Sequence, residues 1–262
     1  MQTTRIDALI FDVDGTLADT EEAHRTAFNL AFERCGLDWK WSRTDYRALL
    51  ATTGGKERMA RHIATLDTDD AERARLRALI PQIHAAKTRF YSAVVRDGAV
   101  PLRAGVARLL DEARHAGCRL AIASTTTAVN VDALLHATLG PRALEPFGVI
   151  ACGDQVAHKK PAPDIYLLAL QHLGVRADHA IAFEDSANGL AAARAAGLWT
   201  VVTPTFWSED GDFADAGLLL PHLGDAAHPL AQEPGRRLRD QPWLGFGELC
   251  RLAARSGEGA LS

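Results

Sequence analysis

Three short apolar runs, far apart in a chain of 262 residues, each end at a polar residue with catalytic chemistry. Ile6-Asp7-Ala8-Leu9-Ile10-Phe11 leads into Asp12 and the turn-forming pair Asp14-Gly15. Leu120-Ala121-Ile122-Ala123 leads into Ser124-Thr125-Thr126-Thr127, and Ala180-Ile181-Ala182-Phe183 leads into Glu184-Asp185-Ser186. Runs of this length, bounded by turn residues, read as buried strands. Helix-like segments precede the second and third, Gly105 to Gly117 and Pro163 to Gly174, and Trp199-Thr200-Val201-Val202 adds a further strand. The alternation predicts an α/β chain with a Rossmann-like core of parallel strands and crossover helices. In open sheets of this kind, polar residues beyond the carboxyl ends of several strands face one crevice. Asp12, Ser124 and Asp185 are therefore expected to be neighbours.

Between Thr20 and about Arg96 the pattern is helical only, with apolar residues at helical spacing in Ala27-Phe28-Leu30-Ala31-Phe32 and around Leu76-Leu79-Ile80-Ile83. We read an all-helical cap domain inserted after the first strand: core 1–19, cap 20–97, core 98–262. The stretch from Gly224 to Gln241 reads as a surface loop, and Trp243 to Ala254 as a closing helix. A net charge of −4 offers no footprint for nucleic acid. The first apolar run is too short for a signal peptide and no later one approaches a membrane span. Four scattered cysteines, Cys35, Cys118, Cys152 and Cys250, suggest neither a disulfide framework nor a zinc site. A cytoplasmic monomer without membrane or nucleic-acid partners is expected.

Asp12 and Asp14 lie two residues apart at a strand end, where the tight turn allowed by Gly15 brings both carboxyl groups to one phosphoryl group. Phosphate monoesters need on the order of 20 kcal/mol of catalysis. One solution passes through a covalent aspartyl-phosphate and protonates the leaving oxygen with a second carboxyl group, the latter worth roughly 10²–10⁴-fold. A carboxylate about 4 Å from a phosphate is repelled by on the order of 4 kcal/mol at an effective dielectric near 20, so a cation must stand between them. Mg2+, a hard ion that takes one or two carboxylates and keeps several waters, fits that need. Asp185 is the second carboxylate ligand, with Glu184 holding a metal water or orienting the ligands. Ser124 and Thr125 supply donors to the phosphoryl oxygens, and Lys160, in His158-Lys159-Lys160-Pro161, supplies charge. Thr126 and Asn130, just beyond, complete the core side of the substrate site.

Asp12-Val13-Asp14-Gly15-Thr16-Leu17, Ser124, Lys160-Pro161 and Glu184-Asp185 resemble, in order, the four motifs of the haloacid dehalogenase-like phosphatases. The resemblance spans nearly the whole chain. It implies Asp12 as nucleophile, Asp14 as an acid/base that also offers its backbone carbonyl to magnesium, and Asp185 as the other protein ligand. The helical insertion is similar to the cap of the β-phosphoglucomutase and phosphoglycolate phosphatase group. Thr52-Thr53-Gly54-Gly55-Lys56-Glu57-Arg58, Asp38-Trp39-Lys40-Trp41 and Glu184-Asp185-Ser186-Ala187-Asn188-Gly189-Leu190 resemble the CbbY-type proteins, which dephosphorylate xylulose 1,5-bisphosphate. A small phosphorylated sugar is therefore the expected substrate. Accessible amides at Gly54 and Gly55, with charge from Lys56 and Arg58, suit a phosphate that is held but not cleaved. Glu21 and His24 are candidates for binding sugar hydroxyls or positioning Asp14, roles that the resemblance supports.

Plainer readings stand beside these. Ser124 to Thr127 can cap a helix, and Glu184-Asp185 can complement a helix dipole. Trp39, Trp41 and Tyr46 read as cap packing, although the Tyr46 hydroxyl can reach a cleft. His84 and Lys87, one helical turn apart, read as a solvated face first and as facing the cleft second, and Arg236, Arg237 and Arg239 read as a solvated loop. The alternative activities are a phosphoglycolate phosphatase, which has little use for Lys56 and Arg58, a sugar phosphomutase sharing the aspartyl-phosphate, and a catalytically silent ligand-binding protein.

Overall fold

A computed structural model describes residues 5–231, 238 and 241–258. Arg236, Arg237 and Arg239 lie outside the described residues. The core is a six-stranded sheet whose paired neighbours all run parallel, β1 (Ala8–Phe11), β2 (Arg119–Ala123), β3 (Phe147–Ala151), β4 (Ala180–Glu184), β5 (Trp199–Val202) and β6 (Leu218–Leu219), in the order β3-β2-β1-β4-β5-β6. β3 and β6 were not foreseen from the sequence.

Every residue of β1 is buried, because each of its faces meets a different layer. Leu9 and Phe11 point into one half of the core, where Phe11 stacks on Phe183 at 4.4 Å. Ala8 and Ile10 point into the other half with Ala121, Ala123 and Ala182, a small-residue floor. On that floor rest α7 (Asp164–Leu173) and α8 (Ala187–Ala195), through Ala169, Ala192 and Ala193. The opposite layer holds α5 (Val106–His115), α6 (Ala128–Leu139) and α9 (Phe246–Glu258).

β1 lies centrally, with Phe11 in register with both Ile122 and Phe183. The chain moves outward to β3 on one side and to β6 on the other, which makes β1 a topological switch point whose carboxyl end opens a crevice. Asp12 and Glu184 stand at that level beside Ala123, and Ser124 follows one residue beyond the end of β2.

Four helices stand between β1 and α5: α1 (Glu21–Arg34), α2 (Arg43–Leu49), α3 (Gly55–Ala64) and α4 (Asp70–Arg96). Ala27, Phe28, Ala31 and Phe32 form the buried stripe of α1; Phe28, Ala31 and Phe32 join Trp41, Tyr46, Met59 and Ile83 in a separate cap core, whereas Ala27 packs into the main core. Trp41 and Tyr46 are packed as the sequence suggested, at 2% and 0% exposure. Reciprocal bonds between Ser42 and Asp45 fix the start of α2.

Candidate active site

Asp12 is held at the carboxyl end of β1 by its own amide, which donates to the Phe183 carbonyl at 3.0 Å. Its Oδ1 accepts from Lys160 Nζ at 2.6 Å, and the same ammonium donates to Glu184 Oε1 at 2.6 Å. The Tyr166 hydroxyl also donates to Glu184 Oε1, at 2.5 Å. Carboxylate oxygens of Asp12, Glu184 and Asp185 lie within 4.8 Å of one another, and all three residues are buried. Burial, with Glu184 and Asp14 nearby, pushes the Asp12 carboxyl up to about 8 in spite of Lys160. Burial, with the charges of Glu184 and Asp12, pushes Asp185 well above the carboxylate range. One ammonium against three carboxylates leaves a deficit of positive charge, and a divalent cation among these oxygens is what the donor set fits.

Asp14 is turned another way. Its Oδ1 accepts from Thr20 Oγ1 at 2.6 Å and from His24 Nε2 at 2.8 Å. Lys87 Nζ stands 2.7 Å from His24 Nδ1. An ammonium has only protons to give, so Nδ1 accepts and Nε2 carries the proton donated to Asp14. Burial works to raise the Asp14 carboxyl, but His24 beside it, the Thr20 hydroxyl and the charge of Lys87 outweigh that and hold it well below the usual range. The imidazole is stacked on Tyr91 at 4.1 Å. Lys87 is 5% exposed, its ammonium 5.1 Å from the Phe28 ring and 5.2 Å from that of Tyr91. The expectation of a solvated face for His84 and Lys87 is corrected here: both line the cleft, and the aromatic walls of the cap bury the lysine stem.

A cleft of about 800 Å³ runs between core and cap. Of the residues singled out in the sequence, it is lined on the core side by Asp12, Asp14, Thr125, Thr126, Asn130, Lys160, Glu184 and Asp185. Glu21, His24, Gly54, Gly55, Lys56 and Arg58 line it from the cap side. Ser124 and Tyr46 do not line it. Ser124 is 1% exposed, its Oγ accepting from the Thr126 amide at 3.3 Å. Tyr46 stands behind the wall, where its hydroxyl donates to Glu21 Oε2 at 2.7 Å and accepts from Arg58 Nη1 at 2.7 Å. Arg58 is buried, and its Nε has no partner in the structure. Lys56 reaches across the cleft to Asp154 at 3.5 Å. Glu57, which sequence reasoning passed over, folds its carboxylate back against Gly54 at the start of α3.

Thr20, Tyr91, Tyr166, Arg103 and Ser208 also went unnoticed. Arg103 ties the turn after β1 to the chain after β5: Nη1 donates to the Gly15 carbonyl and to Thr203 Oγ1 at 2.9 Å, and Nη2 to the Pro221 carbonyl at 2.8 Å. Ser208 Oγ donates to Asp185 Oδ2 at 2.9 Å. A threonine four residues before His24 is the one local signal that was available; the others come from remote elements.

The haloacid dehalogenase-like hydrolase family matches residues 6–197, most of the chain. The chain belongs to that family. It is accordingly an enzyme, a phosphatase of haloacid dehalogenase-like type. Protein CbbY of Rhodobacter capsulatus is 54% identical over 220 residues, covering 84% of this chain and 95% of the relative. The crystal structure of CbbY from Rhodobacter sphaeroides in complex with phosphate has a TM-score of 0.79 at 51% identity, covering 85% of this chain and 98% of that one. A mutant of the same protein in complex with xylulose-(1,5)bisphosphate matches with a TM-score of 0.79 at 50% identity and the same coverage. Among the described residues, no helix is long and apolar enough to cross a membrane.

Proposed function

We propose that this chain is a magnesium-dependent sugar-bisphosphate phosphatase, with xylulose 1,5-bisphosphate as its substrate. The observation that carries this is Arg58: a buried guanidinium, braced by Tyr46 and with a free Nε, lining the same cleft as Asp12 but belonging to the cap. A buried arginine without a carboxylate on it is a reserved site for an anionic group. The CbbY structure with xylulose bisphosphate supports the same choice.

In this reading the Asp12 carboxylate attacks phosphorus and the bond to the sugar oxygen breaks, leaving the phosphoryl group on Asp12. Asp14 gives its proton to the departing oxygen, then takes one from the water that attacks the aspartyl-phosphate, so that sugar and inorganic phosphate leave and Asp12 is restored. The entering phosphoryl charge raises Asp14 toward the protonated form the first step needs. Lys160 holds Asp12 in line and draws charge from the phosphoryl oxygens, with Thr125 and Thr126 supplying donors. Asp12 and Asp185, the Asp14 carbonyl and Glu184 would hold a magnesium ion, which neutralises the repulsion between nucleophile and phosphate when bound. Glu21 receives a sugar hydroxyl, His24 holds Asp14 in place, Asn130 closes the core side, and Gly54 to Arg58 hold the phosphate that stays.

Phosphate release from xylulose 1,5-bisphosphate, fructose 1-phosphate and phosphoglycolate, with and without magnesium, tests this. Arg58→Ala is expected to raise KM for the bisphosphate at least about 10-fold while leaving the two monophosphates nearly unchanged. Preference for phosphoglycolate would overturn the substrate reading. An isomerised sugar phosphate without free phosphate would make the enzyme a mutase.

A further inference from the structure

The chain after β5 reaches both the cap and the acidic cluster. Trp207 is the one residue from outside the cap, among those described, in the buried aromatic cluster of the cap. It is 5% exposed, stands edge-on to Tyr46 at 5.7 Å, and lies under the Arg43 guanidinium at 5.2 Å. Ser208, the next residue, points the opposite way. Its Oγ accepts from the Thr205 amide at 3.1 Å, and its single proton goes to Asp185 Oδ2. The Trp207 amide donates to Thr205 Oγ1 at 3.1 Å and the Ser208 amide to the Thr205 carbonyl at 3.1 Å. One tight turn therefore fixes the indole and the hydroxyl together.

We propose that Ser208 is a positioning residue for Asp185, and that Trp207 makes its hold on that carboxylate depend on the cap being seated. The proposal rests on the magnesium reading given above. A hydroxyl donor on Oδ2 occupies that oxygen and fixes the rotation of the carboxylate, the role that hydrogen-bond partners of metal ligands commonly play. A cap that swings away removes the apolar niche of Trp207, releases the turn and withdraws the donor from Asp185. By reciprocity, magnesium then favours the seated cap as much as the seated cap favours magnesium. Arg47, which donates to Asp210 at 2.5 Å and stacks on Phe206 at 4.7 Å, fastens the same segment to α2.

Calorimetric titration of magnesium into the substrate-free protein tests both halves. Ser208→Ala is expected to weaken binding about 10-fold, with Ser208→Thr restoring it to within about threefold of the wild type. Trp207→Ala should weaken binding severalfold, and the double variant should bind no worse than Ser208→Ala alone. Should Trp207→Ala fail to fold, Trp207→Phe carries the same comparison with a smaller loss. Unchanged binding by Ser208→Ala overturns the positioning role, and losses that multiply in the double variant overturn the link through Trp207. No magnesium binding by the wild type overturns the metal reading and this proposal with it.

Discussion

His24 donates from Nε2 to Asp14 Oδ1 at 2.8 Å, so that a side chain of the first cap helix holds a carboxyl group of the turn that follows β1. The two residues are ten positions apart, and the junction between cap and core runs between them. Any movement at that junction changes the distance between His24 and Asp14, and with it the donors that set the protonation of the proposed acid/base.

Replacing His24 by Asn should therefore act on the proton-transfer step. With a sugar phosphate, kcat is expected to fall about 10²–10³-fold, within the usual range for lost general acid–base assistance. With an aryl phosphate, whose leaving group departs without a proton, the loss should shrink to about tenfold or less. Equal losses on the two substrates would show that His24 serves binding or folding instead.

Lys87 links stability to pH. Burial lowers its ammonium from the ordinary 10.5 to about 8, despite the carboxylates of Asp14 and Glu21. Between those two values the unfolded chain keeps a proton that the folded chain has lost, so folding gains stability as pH rises from about 8 to about 10.5. Below about 8 the cost of burying the charge is present in full. Thermal melts of wild type and Lys87→Met should diverge in favour of the wild type over that window, by on the order of 3 kcal/mol across the whole of it. A constant difference from pH 7 to 10 would contradict this.

Lys160 sits between two buried carboxylates, and Asp12 and Glu184 hold its ammonium above the ordinary lysine value against the pull of burial. Lys160→Met leaves Asp12 and Glu184 facing each other without their shared donor. At pH 5.5 Asp12, whose carboxyl is already pushed up to about 8, escapes by holding a proton; near pH 9 it cannot do so freely, and the native state carries uncompensated charge. The loss of stability relative to wild type, measured by urea unfolding in the presence of chelator, should approach about 3–5 kcal/mol at pH 9 and be smaller at pH 5.5. Activity should fall with it at every pH.

The strands that carry Asp12 and Glu184-Asp185 were legible because an apolar run and the residue that ends it are neighbours in sequence. The network behind Asp14 was not, since Thr20 and His24 open α1 whereas Lys87 and Tyr91 come from α4, 63 residues beyond His24 in the case of Lys87. Side chains two turns along an amphipathic helix look alike whether they face solvent or a cleft until the partner helix is placed. β3 escaped notice because Gly148 interrupts it and its middle residues are only partly buried, so the apolar run is broken. Two-residue β6 carries no periodicity at all. Ser208 lies in a segment with no regular element, and its significance appears only when Asp185 is set beside it.

Gly15 offers the sharpest separation of backbone strain from site chemistry. Its φ of +83° is a conformation that costs an L-residue about 1–2 kcal/mol, and a Cβ there would stand 2.3 Å from Asp185 Oδ2 and 2.5 Å from its Cγ. Gly117 shares the backbone conformation, at φ +74°, with nothing within 4 Å of such a Cβ. Both alanine variants should lose about 1–2 kcal/mol of stability in thermal or urea unfolding. Only Gly15→Ala should also weaken magnesium binding, by about 10-fold or more, because the methyl group displaces Asp185 from the turn that Gly15 and Ser208 enclose. Equal magnesium affinity in the two variants would mean that Asp185 can retreat without cost, and that its close approach to Gly15 is not part of the metal site.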